Sequence, residues 1–95
     1  MPAYAVGNVV VSNTEAMMKY VDRMPALMAK YKGRILANDR APALVEGQAP
    51  AGSTIVIEFP DVATAKAFYA DPDYKTAKSF RIGAAILNLV IVAGL

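Results

Sequence analysis

Apolar residues fall on two periods along this chain, and the switching between them predicts the order of elements. From Ala3 to Val11 the even positions carry Tyr4, Val6, Asn8 and Val10, and the odd ones Ala3, Ala5, Gly7, Val9 and Val11. Both sets are largely apolar, which predicts a strand covered on both faces. Met17, Tyr20, Val21, Met24, Leu27, Met28 and Tyr31 then recur at steps of three and four, the spacing of one helix face. Ser12-Asn13-Thr14-Glu15 fits a capping box with Ser12 at the N-cap, and Asn13 is the alternative cap. Pro25 falls inside the stripe and removes a backbone donor, so a kink or break is expected near Asp22 to Met24. Met17, Met24 and Met28 suit either an adaptable ligand surface or the commoner role, a core face.

Gly33 follows the last periodic residue and is expected to take the left-handed position that ends a helix. Arg34 to Asn38 reads as a short strand and Asn38 to Pro42 as turn chemistry. Ala43 to Glu46 reads as a short strand or strand extension, ended by Gly47. Gln48 to Ser53 is a loop, either a lid or a plain connector. Thr54 to Phe59 is β-branched and apolar except for Glu58, a buried strand. Pro60-Asp61 stops it and caps a helix with Val62, Ala65, Phe68 and Tyr69 on one face. Asp71-Pro72 repeats the device as N-cap and first helical residue, and the next helix presents Tyr74, Ala77, Lys78 and Arg81. Gly83 stops that helix. Ala85 to Val92 is a last strand, apolar on both faces apart from Asn88.

The order is βαββαβ, an α+β, ferredoxin-like protomer with a four-stranded antiparallel sheet and helices on one face. Residues 1–95 make a single domain. Helices on one face leave the other bare, although three strands are apolar on both sides. Composition sharpens the point. The chain is 56% hydrophobic and 19% charged, against roughly 45–50% and about 25% in ordinary domains. A small domain with surplus apolar surface covers it with a partner, so a homodimer packed sheet against sheet is expected.

Charge and chemistry exclude more than they select. The net charge of +2 is scattered without a basic stripe, which argues against a nucleic-acid partner. With no Cys and no His, disulfides, thiolate chemistry, imidazole bases and the usual zinc or haem sites are gone, so no metal and no cofactor is expected. The longest apolar run, Ile82 to Leu95, is too short for a membrane helix. Met1-Pro2 leads straight into the first strand without a signal segment, so the expected compartment is the cytoplasm. No Gly-x-Ser-x-Gly elbow, phosphate loop or dinucleotide fingerprint is present.

Lys32-Gly33-Arg34, Glu46-Gly47, Glu58-Phe59-Pro60, Ala65-Lys66-Ala67-Phe68-Tyr69, Pro72-Asp73-Tyr74, Ala77-Lys78, Arg81 and the closing Gly94-Leu95 together carry a resemblance. The chain resembles the domain-of-unknown-function family numbered thirteen-thirty over nearly its whole length, most specifically from Glu46 to Arg81. That resemblance implies the dimeric α/β-barrel superfamily and a ferredoxin-like protomer. It implies no reaction, because related barrels include small monooxygenases, lactone isomerases and ligand-sensing domains. The chain departs from the family pattern at Lys32, where a first glycine is usual, and at Phe68, where Trp is usual. Tyr31-Lys32 stand where a histidine often precedes the glycines.

Strand alternation selects the candidate site. Asn8, Glu58 and Asn88 all sit at even positions among valines and are expected to share one face. A carboxylate inside an apolar strand must be paired, protonated or wet. Glu58 therefore reads either as the partner of Arg34 or Arg81, or as a general acid or base in a pocket. Arg81 reads as a helix-end cation or as a fork for a substrate carboxylate or phosphate, and Arg34 has the same two readings. Tyr69 and Tyr74 flank the Asp71-Pro72 break with hydroxyls that could reach a ligand. Glu46 is a turn residue or a rim residue. We expect Glu58 and Arg81 to lie together, as catalytic candidates or as the polar centre of a pocket for a small, partly apolar, anionic molecule. The alternative class is a cofactor-independent enzyme, monooxygenase- or isomerase-like, acting on a small organic compound.

Overall fold

The computed structural model describes all 95 residues. The elements are β1 (Ala3–Val11), α1 (Thr14–Val21), α2 (Met24–Tyr31), β2 (Arg34–Asp39), β3 (Ser53–Phe59), α3 (Val62–Ala70), α4 (Pro72–Arg81) and β4 (Ala85–Ala93). The strands form one antiparallel sheet in the order β2-β3-β1-β4, the ferredoxin-like arrangement that the sequence predicts.

Local chemistry explains the boundaries. Asn13 caps α1, its side-chain oxygen accepting from the Ala16 amide at 3.1 Å. Ser12 does not cap. Its hydroxyl donates to the Ala84 carbonyl at 3.1 Å and ties the end of β1 to the start of β4. The expected interruption at Pro25 is present: α1 ends at Val21 and α2 begins at Met24, with the proline in its first turn, where its missing N–H costs nothing. Asp61 caps α3 and Asp71 caps α4, as their positions before the two helices predict.

Two expectations change. The left-handed residue closing α2 is Lys32, at φ 56°, rather than Gly33. Gly33 serves a different need, because a Cβ there would stand 2.9 Å from Cε1 of the buried Phe59 ring. Ala43 to Glu46 forms no strand and lies in an exposed loop between β2 and β3. Both edges of β3 are already taken by β1 and β2, and Pro42 withholds one backbone donor from any further ladder.

Register sorts the side chains, since residues paired across the ladder share a face. Tyr4, Glu58 and Val92 form one row, Val6, Val56 and Val90 the next, and Asn8, Thr54 and Asn88 a third. These even positions make the face without helices. Arg34 joins the first row opposite Glu58, and a bulge at Leu36 shifts β2 by one residue beyond it. Ile86 and Val90 are 70% and 60% exposed there, so the chain leaves this face bare of cover.

The odd face carries the core. Ala3, Ala5 and Gly7 are small and let the helices approach closely, while Ile57 and Phe59 fill the space beneath them. Tyr20, Met24, Leu27 and Met28 come in from α1 and α2, and Ala65, Phe68, Tyr74 and Ala77 from α3 and α4. The methionine stripe is thus chiefly core. Phe59 and Phe68, both essentially fully buried, meet at 5.2 Å between ring centroids. Such aromatic pairs each add roughly 0.5–1.5 kcal/mol beyond the area they bury.

Candidate functional site

Between the helices and β4 the core opens into a two-part cavity. Its inner chamber, about 70 Å³, is walled entirely by hydrophobic side chains, among them Val9, Met17, Tyr20, Ile55, Ile57 and Tyr69. Its mouth, about 560 Å³, adds Lys66, Tyr74, Lys78, Arg81 and Ile91. Tyr69, Leu87 and Leu89 line both parts, so chamber and mouth adjoin. Period-two alternation places Leu87, Leu89 and Ile91 on the helix side of β4, while Asn88 and Val90 turn away.

Arg81 is the site's one buried cation. It is 7% exposed, and its Nε has no hydrogen-bond partner. The molecule's two ion pairs, Lys30–Asp71 and Arg34–Glu58, do not involve it. Its guanidinium instead stacks on the Tyr20 ring, 5.1 Å from the centroid, a contact worth roughly 0.5–2 kcal/mol that still leaves the fork's edge available. Three phenols gather beside it. The Tyr20 and Tyr74 hydroxyls are hydrogen-bonded at 3.2 Å, and the Tyr69 and Tyr74 rings meet edge to face at 4.9 Å. Burial pushes the Tyr20 hydroxyl up, with Tyr74 beside it adding to the rise. Burial also raises that of Tyr69. Both stay protonated at neutral pH and can donate hydrogen bonds.

The structure divides the sequence-selected residues among four places. Tyr69, Tyr74 and Arg81 come together at the mouth. Arg34 and Glu58 lie on the opposite face of the sheet and pair with each other, Nη2 donating to Oε1 at 2.8 Å. The expectation that Glu58 and Arg81 form one polar centre is therefore corrected. Glu58 shares its face with Tyr4, Val56 and Arg34, whereas α4 packs on the other side. Asn8 and Asn88 do share the face of Glu58, directly opposite one another, and with Thr54 and Pro50 they border a separate hollow of about 340 Å³. The Thr54 hydroxyl there is buried without a partner. Glu46 is exposed in the loop, away from all of these.

Tyr20 is the site residue that periodicity hid, since it reads as one more member of an apolar stripe. The signal was a hydroxyl in a stripe that must be dry, because a buried phenol needs a partner. Lys66 and Lys78 are exposed on their helices and flank the mouth. No group of three or more His, Cys, Asp or Glu side chains is placed to hold a metal. No helix is long and apolar enough to cross a membrane.

A helix-backed antiparallel sheet with a cavity between its two layers places the chain among α+β proteins of ferredoxin-like fold. Within that class it belongs to the family described as Domain of unknown function (DUF1330), whose model matches residues 2–95. No curated protein matches it significantly. Among solved structures it is similar to a protein of unknown function from Rhodopseudomonas palustris, with 19% identity, a TM-score of 0.77, and coverage of 99% of this chain and 82% of that one. It is also similar to a dimeric ferredoxin-like protein of unknown function from Jannaschia, with 12% identity, a TM-score of 0.70, and coverage of 99% and 100%. A third similar structure is SnoaB, a cofactor-independent oxygenase from Streptomyces nogalater, with 12% identity, a TM-score of 0.65, and coverage of 99% and 93%. These likenesses show the fold.

Proposed function

We propose that this protein is a homodimer, joined through the helix-free face of its sheet as a dimeric α/β barrel, and that each protomer binds a small, partly apolar anion in the cavity beside Arg81. The observation that carries the ligand reading is Arg81 itself, a cation 7% exposed with no ion pair and one N–H unpaired. Holding a charge in such a place costs several kcal/mol unless something compensates it. A carboxylate entering from the mouth would accept from the guanidinium and from the phenols, while its apolar part occupied the chamber. The bare apolar face and the dimeric description of the Jannaschia neighbour support the assembly. A thermal-shift screen of small carboxylates tests the ligand reading. Stabilisation by an acid and its loss in Arg81→Gln support it. A screen without response, or a response that Arg81→Gln leaves intact, overturns it.

A second reading, cofactor-independent catalysis on a bound small organic compound, draws on the SnoaB neighbour and on the neutral phenols beside the chamber. Tyr20 and Tyr74 would then donate protons to a reacting oxygen. Consumption of dioxygen by the purified protein with a bound acid, lost in a Tyr74→Phe variant, distinguishes catalysis from binding alone.

A further inference from the structure

We infer that the ligand class is a short-chain aliphatic monocarboxylate, an acid with two or three carbons beyond its carboxyl group. The inference rests on the anion-binding reading above and narrows it by size, by charge and by the distance between the two halves of the cavity.

Size comes first. A chamber of about 70 Å³ holds two to three groups of water or methylene size, at roughly 30 Å³ each. An engineered cavity that admits benzene measures about 150 Å³, twice as large. On its inner side the chamber cannot widen cheaply, because Ile57 and Tyr20 belong to the closed core and close-packed interiors resist expansion. Ethyl and propyl groups fit, and an aromatic ring does not.

The Tyr20 ring fixes the distance. It walls the chamber and carries the Arg81 guanidinium at 5.1 Å from its centroid. Charge and apolar room are thus separated by little more than one ring, so the carboxylate must sit close to the branch that fills the chamber. A long-chain acid would leave its tail in the open mouth.

Charge selects the head group. One buried cation matches one negative charge, and the planar fork of arginine matches the two oxygens of a carboxylate. Lys66 and Lys78 are exposed at the rim, where they attract anions without desolvating them.

Isothermal titration of the full-length protein with propanoate, butanoate, benzoate and propylphosphonate tests the assignment. The expected result is that the two aliphatic acids bind at least tenfold more tightly than benzoate or propylphosphonate. Arg81→Lys should weaken them by tenfold or more. Val9→Ile, which adds one methyl group to the chamber wall, should move the preference from butanoate toward propanoate by about fivefold and leave the melting temperature unchanged. Benzoate or propylphosphonate binding best, with the same dependence on Arg81, overturns the ligand class and leaves the anion site standing. No binding by any of the acids, or binding indifferent to Arg81→Lys, removes the site reading and this inference with it. Should Arg81→Lys fail to fold, the ligand series on the wild type and on Val9→Ile decides between these outcomes.

Discussion

The Tyr31 hydroxyl donates to Oδ2 of Asp71 at 2.5 Å, joining the last residue of α2 to the N-cap of α4. The same oxygen accepts from Lys30 Nζ at 2.8 Å, and Oδ1 accepts from the Asp73 amide at 2.7 Å. One carboxylate, 5% exposed, thus caps a helix and fastens it to the end of another. The Lys30 and Tyr31 donors, with the Asp73 amide, hold its pKa down at about 2.

Stability is therefore expected to depend on pH in the acid range. Because the folded pKa lies below the ordinary carboxylate value of 3.8, this contribution is complete above about pH 4 and is lost as pH falls toward 2. Thermal melts from pH 5 to pH 2 should show the decline in wild type and a shallower one in Asp71→Asn. At pH 7 that variant should melt several degrees lower, since it leaves the Lys30 and Tyr31 donors poorly matched.

Gly33→Ala is expected to destabilise by about 1–3 kcal/mol, the usual cost of overpacking. The added methyl would meet the Phe59 ring at 2.9 Å, and that ring is fully buried. Lys32→Gly should change little, because relief of the left-handed backbone, roughly 1–2 kcal/mol, is offset in large part by the entropy of glycine, about 0.5–1 kcal/mol. Urea unfolding of the two variants checks the contrast.

Val90→Lys is expected to give a monomer. Val90 lies in the middle row of the bare face, between Val6 and the sheet edge, and a lysine there would be buried without a partner in a face-to-face dimer. Light scattering at micromolar concentration reads the outcome, and a dimer that persists would place the interface elsewhere.

Glu58→Gln should leave carboxylate binding unchanged, because Glu58 and the cavity lie on opposite faces of the sheet. Its pair with Arg34 is largely exposed on the arginine side, and such pairs contribute less than about 1 kcal/mol. Titration with butanoate, alongside urea unfolding at low protein concentration, checks both expectations.

The elements were legible because each carries its own local signal. Asp61 and Asp71 before helices, Pro25 inside a stripe, and the apolar runs of β1 and β4 all act over a few residues. Even the common face of Asn8, Glu58 and Asn88 follows from parity and register. The sequence offers Arg34 as one of two partners for Glu58, but the choice between Arg34 and Arg81 was not legible, since it depends on which face the helices choose, and both faces of these strands are apolar. Parity put Glu58 with the asparagines but left open which face α4 covers. Gly33 misled for a related reason, since its constraint comes from Phe59, 26 positions further along the sequence. Tyr20 was legible as core and illegible as site, because only the folded chain brings it against Arg81.

The two edges of the sheet are unequal. β2 is short, broken by its bulge and flanked by Arg34 and Asp39, features that discourage a foreign strand from adding there. β4 offers nine residues without a single charge. Strand addition, if the chain is crowded or partly unfolded, should begin along β4. Colloidal behaviour then follows from that one border, and a net charge of +2 offers little repulsion to prevent it.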